Sequence, residues 1–179
     1  MQPNFRQRSY SVSELSVDFR TAFRHHPAGV ALITAAVDGE FYGLTISSLA
    51  SLSIGPVAVS FSLAKESGAA GAVLAAQSFV IHMLGEDQQI LANNFARPGA
   101  PRFSSDQNFR VLPTGEPYFI DSPVAFRASI HSSISVGGSR LIAAEVHEVL
   151  HGQEHKQHLL YQDREYLNLS GLRAESSMR

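Results

Sequence analysis

Hydroxyl-bearing residues crowd one segment of this chain. Between Gly43 and Pro56 stand Thr45, Ser47, Ser48, Ser51 and Ser53. A second polar knot, Lys65-Glu66-Ser67, follows the apolar run Val57 to Leu63. Hydroxyls and free backbone N–H groups held between rigid strands can cradle a ligand rich in oxygen acceptors. Lys65 adds a cation, and the helix predicted just beyond would point its positive dipole end the same way. The chemistry implied is recognition of a phosphorylated ligand. These residues taken alone fit equally well a pair of serine-rich turns that only cap strands and a helix.

Other chemistry-bearing types point to less. The spacing of His151, His155 and His158 is compatible with a divalent metal, but the segment around them has no apolar face and no supporting carboxylate, so a solvated loop is expected and no metal. His25-His26 falls at a predicted helix end, where an imidazolium complements the dipole. His82 stands within an apolar strand pattern and is expected to be a satisfied buried histidine. There is no Gly-x-Ser-x-Gly elbow for a serine hydrolase, and no Gly-x-Gly-x-x-Gly or Walker loop for a nucleotide. The absence of cysteine rules out disulfides, thiolate ligands and a thiol nucleophile.

The elements that must position these residues read mainly as strands. The chain has 179 residues, 44% hydrophobic and 17% charged, which suits one domain with a real core. A net charge of −2 with no basic block argues against nucleic acid. No apolar run reaches membrane-spanning length, and the first residues carry no apolar leader core, so a cytoplasmic protein with no membrane partner is expected. Residues 1–13 read as a flexible segment, 14–170 as the domain and 171–179 as a tail. Ser16 is the expected cap of a helix from Val17 to His25, with Leu15, Phe19 and Phe23 on one face. Strands are predicted over Gly29 to Val37, Glu40 to Thr45, Val57 to Leu63, Ser78 to Leu84, Val124 to Val136 and Leu141 to Leu150, with short closing strands at Leu159 to Tyr161 and Tyr166 to Leu169. Asp38-Gly39 and Gly137-Gly138 are hairpin turns between them. Helices are expected over Ala69 to Gln77 and Asp87 to Phe95, and an irregular excursion over residues 102–122. With so few helices between strands, an antiparallel barrel closed on itself fits better than a parallel sheet.

The order of these pieces resembles the short-chain flavin reductases, the reductase components of two-component flavin monooxygenases. The matching residues are His26-Pro-Ala-Gly-Val30, Gly43-Leu-Thr45, Ser47 to Ser53, Lys65-Glu-Ser67, Phe79 to Leu84, Phe95-Ala96, Arg102-Phe103, Leu160-Tyr161 and Tyr166. No single piece is specific; the combination, from about residue 17 to 169, is. The resemblance implies a mainly β fold with short helices, an FMN-binding split β-barrel of Greek-key antiparallel type, homodimeric, with the flavin near the subunit contact. It implies FMN or FAD as cofactor, NADH or NADPH as co-substrate, and a flavin-dependent monooxygenase that receives reduced flavin.

Carried over residue by residue, Thr45, Ile46, Ser47 and Ser48 would line the flavin ring and ribityl chain. Ser51 and Ser53 would lie near ribityl and phosphate, with Lys65 and Ser67 at the phosphate. Phe103 and Tyr166 are candidates to flank the flavin or nicotinamide ring, although aromatics are more often core. Two departures stand out. Ala69 occupies a position where the family has a hydroxyl. The family's Gly-Asp-His hairpin is here Gly137-Gly138-Ser139-Arg140, so Ser139 stands at the histidine position and no residue is assigned as catalytic. Hydride transfer depends mainly on alignment of donor and acceptor, so this loss need not abolish it. Arg140 is a candidate for a dinucleotide phosphate or, as is more common, a solvated hairpin residue. A flavin-binding protein without nicotinamide-dependent activity stays open as the second reading, and a barrel that serves only as a dimeric interaction module as a remote third.

Overall fold

The protein is described by a computed structural model covering residues 11–152 and 157–167. In chain order the elements are α1 (Val12–Arg24), β1 (Ala28–Gly29), β2 (Ala31–Val37), β3 (Glu40–Ile46), β4 (Ala50–Ile54), β5 (Val57–Leu63), α2 (Ala69–Ala75) and β6 (Phe79–Met83). A 3-10 turn at Glu86–Gln88 leads into α3 (Gln89–Ala96). There follow β7 (Phe109–Val111), β8 (Pro117–Phe119), β9 (Val124–Val136), β10 (Ser139–His151), β11 (Leu160–Gln162) and β12 (Glu165–Leu167).

The first helix starts earlier than its apolar spacing suggests. Ser11, not Ser16, is the cap. Its hydroxyl accepts from the Glu14 N–H at 3.3 Å, and the Glu14 carboxylate accepts from the Ser11 N–H at 2.9 Å. This reciprocal box satisfies two donors at once. The Ser16 hydroxyl instead donates back to the Ser13 carbonyl inside the helix. Residues 11–13 therefore belong to α1 and its cap rather than to a loose segment. The 171–179 tail lies outside the described residues. α1 buries none of its residues, and Leu15, Phe19 and Phe23 are exposed. Its C-terminal end is fastened by the turn between β11 and β12. Asp163 N–H donates to the Arg24 carbonyl at 2.9 Å, Gln162 Nε2 to the His25 carbonyl at 2.7 Å, and His25 Nδ1 lies 2.6 Å from the Asp163 carboxylate.

Seven strands form one antiparallel sheet in the order β3-β2-β6-β9-β10-β5-β4. Asp38 and Gly39 both have positive φ, 53° and 81°, as a hairpin turn matched to strand twist requires. At the β9–β10 turn only Gly137 does, at φ 58°. Two register shifts kink the β9–β10 ladder. β1, β11 and β12 form a small second sheet, and the expected irregular excursion contains the β7–β8 hairpin.

The expected closure into a barrel is not made by backbone hydrogen bonds; β3 and β4 remain the two edges of the sheet. The reason is local. Only Ser47, Ser48 and Leu49 separate β3 from β4, and the Ser48 hydroxyl accepts from the Ser62 N–H at 2.9 Å, which draws the chain onto β5 instead of β3. The sheet still curls enough for both halves to share a core. Ile33 of β2, Phe61 of β5, Phe79 of β6 and Ile142 of β10 are fully buried in one cluster, and Ala70 and Val73 of α2 plug it. On the other face of β2, Leu32 packs with Phe95 and Ala92 of α3, Phe119 and Leu159. Burying apolar area of this kind supplies most of the stabilisation, about 25 cal/mol per Å² removed from water.

Candidate functional site

The C-terminal end of β3 builds one wall of the site. Gly43 lets α3 come close there, since a Cβ on it would stand 2.6 Å from Cε1 of Phe95. Arg102 holds that helix end. Its guanidinium donates to the carbonyls of Asn94 at 3.2 Å and Arg97 at 3.0 Å, and its carbon lies 5.6 Å from the Phe95 ring centre. A cation on the free carbonyls of a helix C-terminus complements its dipole. Thr45 closes the seam by donating to the Ala92 carbonyl at 2.7 Å.

Between this wall and the β11–β12 hairpin lies a cavity of about 440 Å³. Thr45, Ile46, Ser47, Asn93, Arg97, Tyr161, Arg164 and Tyr166 line it, with Val30 and Ala96. The Tyr166 ring lies 5.2 Å from Tyr161, and its hydroxyl is 3.4 Å from the Asn93 side-chain oxygen. Burial, then the neighbouring Tyr161, raises the Tyr166 phenol above its ordinary value, and Arg97 offsets part of this. Tyr166 is thus a neutral donor at any physiological pH.

A wider groove of about 1030 Å³ adjoins this cavity and shares Ser47, Tyr161 and Arg164 with it. Its far wall is α1, with Arg20 and Arg24, and its floor includes Ser48, Ala50 and Ser62. No aspartate or glutamate lines either space. Asp163 and Arg164 form the β11–β12 turn, both at positive φ, 53° and 68°. Arg97 and Arg164 carry no sequence motif; what marks them is their place on the cavity wall, which spacing along the chain does not display.

The structure divides the residues expected at the site. Thr45, Ile46, Ser47 and Tyr166 line the smaller cavity, and Ser47 and Ser48 the groove. The Thr45 hydroxyl is spent on Ala92, and Ser48 bonds both backbone atoms of Ser62, so these two hydroxyls shape the wall. Ser51 and Ser53 belong to a mostly exposed edge strand, β4, in a segment to which the sequence pattern assigns no strand, and the Ser53 hydroxyl accepts from the Gly55 N–H. They line neither space, nor do Lys65, Ser67 and Ser139. The half-buried Phe103 packs its ring among Phe41, Phe95, Phe109 and Phe119 and lines neither space. Arg140 makes a two-pronged pair with Glu66, both contacts at 3.0 Å, and clamps the β9–β10 hairpin to the Lys65–Ser67 loop. Carboxylate and guanidinium forks match in this way, so Arg140 is not a free cation.

The histidines behave as structure. His82 is fully buried, bonded to the Leu32 carbonyl at 3.0 Å and accepting from the Phe119 N–H at 3.0 Å. Burial lowers its pKa from 6.5 to about 4, with the Leu32 bond opposing. His25 caps α1. His151 ends β10 and His158 pairs with Gly85, while His155 lies outside the described residues.

Comparison with known proteins places this geometry. The family described as "Flavin reductase like domain" matches residues 23–170. The chain is 39% identical over 153 residues to a protein of Rhodococcus erythropolis named NADH:FMN oxidoreductase, covering 83% of this chain and 79% of that protein. It is 44% identical over 87 residues to the reductase component of a 4-nitrophenol 4-monooxygenase/4-nitrocatechol 2-monooxygenase of Rhodococcus opacus, covering 49% and 47% of the two chains. Among solved structures, a flavin reductase domain protein from Arthrobacter sp. FB24 superposes with a TM-score of 0.79 at 34% identity, over 85% of this chain and 94% of that one.

Proposed function

This chain belongs to the flavin reductase-like family, and on that footing we propose that it is an NAD(P)H-dependent flavin reductase of the split-barrel type. It takes FMN or FAD and supplies reduced flavin to a partner monooxygenase in the cytoplasm. The observation that carries this reading is the pair of joined spaces at the end of β3, walled by hydroxyls and guanidiniums and free of carboxylates. A phosphorylated ring compound suits such a lining, because the anion meets cations and no like charge. The relatives' printed functions agree with it.

The residues present fit a flavin. Ser47 and the end of β3 offer hydroxyl and backbone donors to its ring and ribityl edge. Tyr161 and Tyr166 supply an aromatic wall. Ser51, Ser53, Lys65 and Ser67 line neither space, and we place the phosphate on their side only where the flavin extends past the cavity along β4 and β5. The flavin supplies the hydride acceptor, the nicotinamide C4–H the donor, and solvent the proton that completes reduction. The protein's part is alignment and exclusion of water, and no side chain needs to shuttle a proton.

We place the domain at residues 14–170 and its working form as a homodimer. Support for the dimer comes from apolar residues left exposed on α1 and the sheet, including Phe19, Phe23, Leu52, Ile54 and Ile134. The flavin-binding-only reading retains one specific observation, Ser139 in place of the family's histidine. Anaerobic mixing of the FMN-loaded protein with NADH and NADPH separates the two. Bleaching of the flavin absorbance within seconds is the expected result. A bound flavin that neither donor bleaches overturns the reductase reading.

A further inference from the structure

Hydride transfer changes the charge inside the candidate site. The C4–H bond of the nicotinamide breaks and an N–H bond forms on the flavin ring. The electron pair travels with the hydrogen, so the nicotinamide leaves as a cation and the ring holds one negative charge until solvent adds a proton. The charges that line the cavity therefore act differently on the oxidised and the reduced ring, whichever way the ring is turned.

The lining of the 440 Å³ cavity carries charge of one sign. Arg97 follows the end of α3 and Arg164 sits in the β11–β12 turn, so the two cations enter from facing walls. The polar groups beside them, on Thr45, Ser47, Asn93, Tyr161 and Tyr166, are neutral. The acid next to Arg164, Asp163, pairs with His25 at 2.6 Å and lines neither space. The negative dipole end of α3 would oppose the cations. Arg102 offsets it, because its guanidinium donates to the carbonyls of Asn94 and Arg97 at 3.2 and 3.0 Å. Burial raises the Tyr166 phenol, Tyr161 adds to this, and Arg97 works against both, so the charge of Arg97 is felt inside the cavity.

Resting on the reductase reading, we infer that Arg97 and Arg164 make this cavity selective for reduced over oxidised flavin. The two guanidiniums meet a neutral ring before the hydride arrives and a negative one after it. The product is held more tightly than the starting flavin and stays on the protein until the partner takes it. By linkage, the reduction potential of the bound ring lies above that of free FMN. The phosphate of FMN is the same in both states and cancels.

The test is the two-electron potential of bound FMN, read against a reference dye during photochemical reduction, which needs no nicotinamide. Its offset from free FMN gives the ratio of the two dissociation constants. Both arginines are exposed, which keeps the attraction modest. Wild type should hold reduced FMN about tenfold more tightly than oxidised FMN, a rise of about 30 mV. Arg97→Gln with Arg164→Gln should remove most of that preference, each alone should remove part, and Arg97→Lys should retain most of it. Salt at about 1 M, where the screening length is about 3 Å, should shrink the wild-type offset toward that of the double variant. Arg110→Gln removes an equal charge from β7, outside both spaces, and should leave the potential unmoved. Circular dichroism melts verify that the variants fold. A wild-type potential at or below that of free FMN, or one indifferent to the double variant, overturns the inference even if NADH bleaches the flavin. A raised, arginine-dependent potential on a flavin that neither NADH nor NADPH bleaches leaves the inference in place and defeats the reductase reading alone. Protein that takes up no FMN defeats both.

Discussion

Acid should unfold this protein partly through one residue. His82 is neutral in the folded state because burial disfavours its charge, lowering its pKa from 6.5 to about 4. In the unfolded chain the same ring takes a proton near its ordinary value. Stability from this group is therefore complete above pH 6.5, falls as pH drops below it, and levels off near pH 4, where the folded ring also protonates. At about 1.4 kcal/mol per pH unit, the whole descent costs about 3 kcal/mol, and about 2 kcal/mol of it is lost by pH ~5. Urea unfolding of wild type and His82→Gln, at pH ~7.5 and ~5 and one protein concentration, isolates the effect. The variant starts less stable, because one of the Leu32 carbonyl and Phe119 N–H is left without its bond. Its loss between the two pH values should be smaller than that of wild type by about 2 kcal/mol. Every other titrating group is common to both proteins and cancels. Parallel losses in the two would refute the reasoning, since they would mean that His82 carries the same charge folded and unfolded.

Two further expectations concern the site. Gly43→Ala forces a Cβ to within 2.6 Å of the Phe95 ring, and Phe95 is 2% exposed with Arg102 and Phe103 against it. A cost of about 1–3 kcal/mol follows, seen as a melting-temperature drop of about 2–4 °C per kcal/mol, with weaker FMN binding by fluorescence titration. An unchanged melt would show that α3 yields freely. Restoring the family hairpin with Gly138→Asp and Ser139→His should speed bleaching of bound flavin by NADH in stopped flow with FMN affinity little changed, since neither residue lines the cavity and a Cβ on Gly138 meets open space. No gain in rate would remove the hairpin from the donor's path.

What could be read along the chain was what is local. The Asp38-Gly39 and Gly137-Gly138 turns, the long alternation of Val124 to Val136, and the buried character of His82 all came from neighbours in sequence, and all stand in the structure. The start of α1 was misplaced because apolar spacing outweighed the Ser11–Glu14 box. β4 was missed because an edge strand has no need of an apolar face, and its residues are nearly all exposed. The ring cluster of Phe41, Phe95, Phe103, Phe109 and Phe119 draws on separate elements, so no local pattern shows which rings Phe103 packs against. Arg140 and Glu66 are 74 residues apart, and no local pattern announces such a pair. Arg97 and Arg164 are the extreme case, since a place on a cavity wall is visible only in three dimensions.

The Asp163–Arg164 turn carries a consequence for anyone who would make this protein hardier. Both residues are held in left-handed backbone without being glycine, a conformation with a cost for each that Asn-Gly would avoid. Selection for heat tolerance alone would favour that relaxed dipeptide. It would also discard the carboxylate that pins His25 and the guanidinium that faces both ligand spaces. This hairpin is thus a place where ruggedness and catalysis pull the sequence in opposite directions, and libraries for thermal improvement should hold it fixed.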